Sequence, residues 1–335
     1  MLGQALVISR RESDRVLEAR TLANMANIYG FQGRWGECLE AGLEAVQQGG
    51  GLDDSQSNMR ARLWVANALL AIGKPDEALP HAEHMLEIAE RRRDQAWIHR
   101  ALIPGLSIPV AKGDWDSARE TCRRIPNALA IRFNEIIGLL LGDIDASMFN
   151  YEVPEDDYSG QVTIGLVMLA AAARATGDAG LLAQLESAMY EAGKSGFLVP
   201  VRQRAADVGY AVVALGRGDK ASAKRIYDSL SSKSGRQWGL IDPTGLLGLL
   251  AHALGYADQA AVHFEGAMAF CRQAGFGPEL AWTYCDYADL LRERDAEGDR
   301  AKAISLLDES LSISNELGMR PLMERVLSRR EILKA

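Results

Sequence analysis

The stretch that decides the fold is TGLLGLLAHALGYADQAAVHFEGAM, which runs from Thr244 to Met268. Apolar side chains recur every three or four positions on both sides of Gly255, a spacing typical of amphipathic helices rather than strands. Glycine closes a helix readily because it accepts the left-handed backbone conformation. Ala260 follows five positions later, where two helices that turn back on each other must approach closely. The stretch therefore predicts two antiparallel helices joined by a tight turn.

The same signature recurs along the chain at intervals that run from 29 residues (Gly113 to Gly142) to 43 (Gly255 to Gly298). The glycines are Gly33, Gly73, Gly113, Gly142, Gly177, Gly218, Gly255 and Gly298, and their partners five positions later are Cys38, Ala78, Ala118, Ser147, Leu182, Ala223, Ala260 and Ala303. Only Leu182 is not small. Aspartate follows five of the glycines, as Asp114, Asp143, Asp178, Asp219 and Asp299, and is expected to cap the amides of the next helix.

The hairpin around Gly255 resembles a tetratricopeptide repeat, because Leu247, Gly248, Ala260 and Phe264 lie where that family places its large and small residues. The stretch LWVANALLAIGKPDEALPHAEHML, residues 63–86, resembles the repeat nearly as well. The resemblance implies an all-α fold, a right-handed α-solenoid of about eight helix hairpins. A polar capping helix is expected at Arg320–Lys334.

One segment interrupts the series. After Gly142 the repeat is degenerate, and FNYEVPEDDYS, residues 149–159, is acidic and contains Pro154. We therefore predict an N-terminal sub-array over residues 1–148, an acidic linker or distorted repeat over 149–160, and a C-terminal sub-array with the capping helix over 161–335.

Composition narrows the function. The chain has 37 basic and 45 acidic side chains, a net charge of −8, which disfavours direct nucleic-acid binding. The most apolar run, residues 166–173, ends at Arg174 and is too short to cross a membrane. The N-terminal residues do not have the order of a signal peptide, and the four cysteines are scattered, as in a reducing compartment. These features predict a cytoplasmic protein without a membrane anchor.

A second resemblance concerns the C-terminal run AGFGPELAWTYCDYADLLRERDAEGDRAKAISLLDESLSISNELGMRPLMERV, residues 274–326. It resembles the end of the helical-repeat arm in bacterial signalling ATPases of the STAND class, including regulators with LuxR-type DNA-binding tails and cyclase-linked relatives. The resemblance implies a sensor arm that binds a ligand or partner and restrains an ATPase. The sequence itself contains no GxxxxGK[ST] motif to hold phosphates.

A candidate binding groove follows from the repeat resemblance. In tetratricopeptide arrays the first helix of each hairpin lines the concave surface, and counting back from each glycine places eight side chains there: Arg20, Asn24, Asn27, Phe31, Arg60, Trp64, Asn67 and Arg100. Asn27 and Asn67 occupy equivalent positions of successive repeats. Their amides could bind an extended peptide backbone, and the arginines a carboxylate or phosphate. Two alternatives remain: these side chains lie on a solvated helix surface without binding a ligand, or they form hydrogen bonds between repeats.

The first helices of the C-terminal repeats have a different character. They offer the apolar side chains Val167, Met168, Val208, Val212, Leu246 and Leu249. A ligand that spans both halves would therefore be amphipathic. The partner expected overall is a protein or peptide segment, or a small effector, held in the groove.

Other functions remain as alternatives. The chain could be a structural adaptor that self-associates through its repeat ends. The third hypothesis is an enzyme, but the sequence shows no clear set of catalytic residues. The carboxylates at residues 155–157 are better explained as part of a solvated linker. His81 and His84 share a helix face, yet a zinc site needs further ligands, so we expect neither a metal nor a cofactor.

Overall fold

The computed structural model describes residues 2–49, 56–151, 161–194, 200–232 and 241–334, and these contain seventeen α-helices, one 3-10 turn and no strand. The helices in the first part are α1 (Leu2–Arg11), α2 (Arg15–Gln32), α3 (Trp35–Gln48), α4 (Gln56–Ala71), α5 (Pro75–Arg91), α6 (Gln95–Lys112), α7 (Trp115–Arg124) and α8 (Ala128–Leu141). Those that follow are α9 (Gln161–Thr176), α10 (Ala179–Lys194), α11 (Pro200–Arg217), α12 (Lys220–Ser231), α13 (Pro243–Ala253), α14 (Ala257–Ala274), α15 (Gly277–Arg294), α16 (Asp299–Glu316) and α17 (Arg320–Lys334). The predicted all-α fold class of helix hairpins is confirmed.

The chain divides into two compact units. Unit 1 comprises Met1–Ile108 with two short segments, and unit 2 comprises most of the chain from Pro109 onward, so that the division falls within α6. Residues 152–160, which hold most of the predicted acidic linker, lie outside the described residues. The sub-array boundary that we placed there stays a prediction.

The signature glycines form the turns between helices, as predicted. All eight have a positive φ, between 65° and 84°. This is the region that side chains with a Cβ rarely adopt, which explains why glycine recurs at these positions. Gly275 and Gly318 take the same conformation, with φ of 69° and 68°, and lie in the turns before α15 and α17.

The aspartates after these glycines behave in two ways. Asp114, Asp178 and Asp219 cap the next helix as predicted, each accepting a backbone hydrogen bond of 2.9–3.1 Å. The prediction is wrong for Asp143, because only a 3-10 turn at Ala146–Met148 follows it and its carboxylate pairs with arginines instead. It is also wrong for Asp299, which lies inside α16 and accepts hydrogen bonds from Arg294 and the amide of Ala296.

Most of the small residues after the turns are buried between paired helices. Cys38, Ala78, Ala118, Ala260 and Ala303 have no exposed surface, which is the close packing that the periodic pattern predicted. The prediction is wrong for Ser147, which is exposed because it lies in a 3-10 turn and not in the second helix of a hairpin. In unit 1 the core around Cys38 contains Ala26, Trp35 and Trp64.

Unit 2 has long-range packing that a simple chain of hairpins would not require. Helix α17 packs on α16 with Leu322 and Val326 fully buried, and it also contacts α8 and α9. The indole N–H of Trp115 donates to the carbonyl of Leu317 at 2.8 Å, across 202 positions of sequence. The C-terminal helices therefore close against the helices that begin unit 2.

Candidate functional site

The first helices of the two N-terminal hairpins, α2 and α4, hold seven of the eight predicted groove residues. Arg60 donates from Nη1 to the amide oxygen of Asn24 at 2.6 Å. This bond joins successive repeats. Asn24 and Arg60 therefore form the hydrogen bonding between repeats that was the alternative to ligand binding. Asn24 and Arg60 also remain half-exposed, and hence accessible from one side.

The two equivalent asparagines differ from this pair. The amide oxygens of Asn27 and Asn67 are buried, and neither accepts a hydrogen bond. Asn27 is half-buried, whereas Asn67 is only 4% exposed. A buried acceptor without a partner destabilises the fold by about 1–3 kcal/mol, so a ligand donor that reached either oxygen would be stabilising.

The predicted aromatic residues Phe31 and Trp64 pack against each other, and only part of this pair can line a groove. Phe31 and Trp64 meet edge to face with ring centroids 4.9 Å apart. Trp64 is 7% exposed and lies against Gly30, where an added Cβ would come within 2.1 Å of its ring. Phe31 is 37% exposed. Of the two rings, Phe31 is therefore the one that can contact a ligand.

The cations of this face are only partly neutralised. Arg20 is exposed and Arg60 half-exposed, and neither forms an ion pair with a described residue. Elsewhere in unit 1, Arg10 pairs with Glu18 and Glu44, and Arg34 with Glu37. Arg100, on α6, stacks over Trp97 at 5.1 Å. The face therefore carries positive charge that the fold leaves available.

The predicted apolar lining of unit 2 is not an open surface. Val167, Met168, Val208, Val212 and Leu246 are all buried, and Leu249 is partly buried against the core. These side chains therefore pack inside unit 2 and do not line an open groove.

A charged cluster in unit 2 was missed by the sequence analysis. The Arg174 guanidinium donates from Nη1 to both carboxylate oxygens of Glu279 at 2.9 Å, and from Nη2 to Asp286 at 2.9 Å. Arg325 donates to the other oxygen of Asp286 at 3.1 Å. The centres of both guanidinium groups lie near the Trp282 ring, 5.7 and 5.3 Å from its centroid. The spacing of Glu279, Trp282 and Asp286 on one helix was the signal that could have revealed it.

Burial dominates the electrostatics of this cluster. It raises the pKa of Glu279 to about 7; Arg174 opposes that shift, and the nearby Asp242 adds to it. Burial by itself would lower the pKa of Arg174, but attraction by Glu279 and Asp286 outweighs it and leaves that pKa raised. The guanidinium is therefore charged, while Glu279 titrates near neutrality.

Nucleophiles and metal ligands are not assembled in the described part of the chain. Burial raises the pKa of the Cys38 and Cys285 thiols to about 12 and that of Cys122 to about 11, so they are poor thiolates. Burial also lowers the pKa of His81 to about 4, with Arg62 adding to the effect. Among the described residues, no group of three histidine, cysteine or carboxylate side chains is placed to hold a metal.

Comparisons with known proteins give matches among solved structures only, and the likeness is weak. The sequence matches no protein-family model and no curated protein. The crystal structure of yeast Tom70 is similar over 92% of this chain and 81% of that chain, at 13% identity and a TM-score of 0.27. The fold assignment therefore rests on the helix geometry described above. Within the described residues, no helix combines the length and hydropathy that a membrane crossing requires.

Proposed function

We propose that the chain is a non-catalytic binding module that holds a protein or peptide segment on the face of α2 and α4. The observation that carries the proposal is the coexistence, on these two helices, of two amide oxygens that accept no hydrogen bond and two guanidinium groups that pair with no carboxylate of the described residues. Asn27 and Asn67 each hold a buried amide oxygen that accepts no hydrogen bond from the described residues. Arg20 and Arg60 each present a guanidinium that forms no ion pair with a carboxylate of the described residues.

The chemistry of the ligand follows from these groups. Backbone N–H groups of an extended segment would satisfy the amide oxygens, and acidic side chains or a terminal carboxylate would pair with the arginines. The exposed edge of Phe31 would accept an apolar side chain. An acidic peptide segment with an apolar residue fits all three requirements. Binding should weaken with salt because the arginines are partly exposed.

The test compares the double variant Asn27→Ala/Asn67→Ala with the intact chain. An array of short acidic peptides, each with a free or an amidated carboxyl end, identifies a binding sequence, and calorimetry then measures its affinity. We expect the double variant to bind about fivefold to a hundredfold more weakly, since each lost hydrogen bond contributes about 0.5–1.5 kcal/mol. Its stability should not fall, because the amide oxygens are unpaired in the free chain.

Asn134→Ala is the matched control, because Asn134 is exposed on α8 and belongs to unit 2. It should leave peptide affinity unchanged. Normal binding by the double variant would remove the α2 and α4 face from the proposal and leave only a general binding role.

The place of such a module in the cell is a second part of the proposal. The resemblance of residues 274–326 to STAND-class arms supports a cytoplasmic sensor arm of a signalling or transcription regulator. Finding an ATPase domain in the native full-length chain or an adjoining gene would support this placement, and its absence from both would contradict it.

Self-association is the alternative that a specific observation favours. Val7, Ile8 and Val16, on α1 and the start of α2, are more than half exposed. Apolar side chains that cluster at one surface often mark an interface. Sedimentation velocity over a concentration series distinguishes the two functions, because an adaptor of this kind would dimerise without any peptide.

A further inference from the structure

Three side chains of α15 form a complete recognition surface for a guanidinium group. Glu279, Trp282 and Asp286 are spaced at i, i+3 and i+7, which places them on one face of the helix. The two carboxylates accept hydrogen bonds of 2.9 Å from the guanidinium of Arg174. The Trp282 ring lies within cation–π distance of it. All three are buried or nearly so.

The group that fills this surface comes from a distant part of the chain. Arg174 lies near the end of α9, 105 positions before Glu279. Its fit is incomplete, because its Nε–H is buried and has no hydrogen-bond partner. An arginine that entered from another direction could turn its Nε–H toward a carboxylate and use that donor as well. The surface therefore fits a guanidinium group, but Arg174 leaves one of its own donors without a partner when it occupies the surface.

The contacts that hold Arg174 in place are of a kind that can exchange. Besides the packing of α17 and the Trp115 hydrogen bond, the closure of unit 2 includes exposed ion pairs such as Arg320 with Asp143, whose side chains are 59% and 40% exposed. Exposed pairs contribute little to stability. A buried ion pair also gains little over the separated, hydrated charges, because desolvation offsets the attraction. Within the C-terminal layer, by contrast, fully buried Leu307, Leu322 and Val326 hold α16 and α17 on α15.

We propose that Glu279, Trp282 and Asp286 form an arginine-binding site, which Arg174 fills in the closed unit and which an arginine side chain of a partner protein enters by displacing Arg174. The site is separate from the α2 and α4 face and does not depend on the function proposed for it. Lysine is a poor substitute, because a single ammonium cannot bridge two carboxylates while lying flat against an indole ring.

The first experiment empties the site in the full-length chain with Arg174→Ala and supplies the missing group from solution. Guanidinium chloride, at concentrations far below those that denature proteins, and Nα-acetyl-L-arginine amide are the probes. We expect both to raise the Tm of Arg174→Ala saturably, because a ligand that binds the folded state stabilises it. Nα-acetyl-L-lysine amide should have little effect.

Two controls isolate the site. Arg217→Ala removes an arginine whose ion pair with Glu186 is half-exposed, so its Tm should respond to both probes no more than that of the wild type, in which Arg174 still fills the site. Adding Glu279→Gln and Asp286→Asn to Arg174→Ala should abolish the response. A response that survives these two changes, or that is absent from Arg174→Ala, would overturn the proposal.

A loss of folding does not prevent the test. If Arg174→Ala is unfolded, the readout becomes the recovery of its helical circular dichroism signal with guanidinium, and Arg174→Lys serves as a second variant that keeps the charge. A site that recognises the guanidinium group must regain it from solution, so failure of both variants to respond would also overturn the proposal.

Displacement is tested in the wild-type chain. An excess of Nα-acetyl-L-arginine amide should accelerate amide hydrogen exchange at the end of α9, where Arg174 is released. Its apparent affinity should be lower than for Arg174→Ala, because the native arginine competes. Equal affinities for both chains, or unchanged exchange at α9, would rule out displacement.

Discussion

Glycine has two separate roles at the scale of single residues. At the turns it provides a positive φ, and this role could be predicted from the sequence because the signature is local and repeats. Inside helices it provides space. Gly30 makes room for the Trp64 ring, Gly216 for Leu182 and Gly248 for Phe264. Gly216 also explains why Leu182 stands where the other repeats have a small residue, since the space is supplied by the facing helix.

Replacing Gly30 by alanine tests the second role. An added Cβ would lie 2.1 and 2.2 Å from two ring carbons of Trp64. A rigid indole cannot yield by that much, so we expect the free energy of unfolding to fall by about 1–3 kcal/mol. Urea unfolding measures it.

Gly105→Ala is the matched control in the same unit. Gly105 lies inside α6, and a Cβ there would meet nothing within 4 Å. Alanine is the better helix former, so this variant should gain about 0.5–1 kcal/mol. If Gly30→Ala is as stable as Gly105→Ala, the close packing of Trp64 on α2 is wrong.

At the scale of elements, the helices and their turns were largely predictable, while contacts between helices were not. Periodicity and glycine chemistry act within a few residues of each other, which is why the hairpins appear in the sequence. The pairing of Asn24 with Arg60 depends on the register between α2 and α4, and single-sequence patterns do not contain that register. Asp143 shows the same limit, because an aspartate after glycine caps a helix only where a helix follows.

The small residue after each turn allows a direct test of hairpin packing. Ala260 on α14 is fully buried beside Phe264 in the core of unit 2. Ala260→Leu should therefore force α13 and α14 apart and lower the free energy of unfolding by about 1–3 kcal/mol. Val262 lies on the same helix and is 69% exposed, so Val262→Leu should change it by less than about 0.5 kcal/mol. Similar melting shifts for both variants would show that the phase of α14 is wrong.

At the scale of the whole molecule, the closure of unit 2 is the feature that the sequence could not reveal. A repeat array is expected to make contacts mainly between neighbouring repeats. Here Trp115 and Leu317 meet across 202 positions, and Arg174 and Asp286 across 112. A periodic pattern predicts the contacts within each repeat and with its neighbour. It does not predict which distant repeats contact each other. The spacing of Glu279, Trp282 and Asp286 is visible in the sequence, but the arginine that pairs with the two carboxylates could not be identified from it.

These charges predict an unusual pH dependence. Burial raises the pKa of Glu279 from 4.5 to about 7, so between these values the folded chain holds a proton that the unfolded chain has lost. Stability from this group is therefore fully present below about pH 4.5 and is lost as the pH rises through 7. The loss is at most about 3 kcal/mol. Arg174 and the amide of Asp242, which both donate to this carboxylate, limit it.

The measurement is urea unfolding of the wild-type chain and of Glu279→Gln between pH 5 and pH 8. Glutamine is neutral throughout, so the stability of the wild type relative to the variant should decline as the pH rises. The difference is needed because His81 acts in the opposite sense: burial lowers its pKa to about 4, and its contribution is lost as the pH falls below 6.5. Subtraction cancels that term, since His81 is present in both chains. A difference that stays flat or increases with pH would mean that Glu279 is ionised throughout and that Arg174 fully offsets its burial.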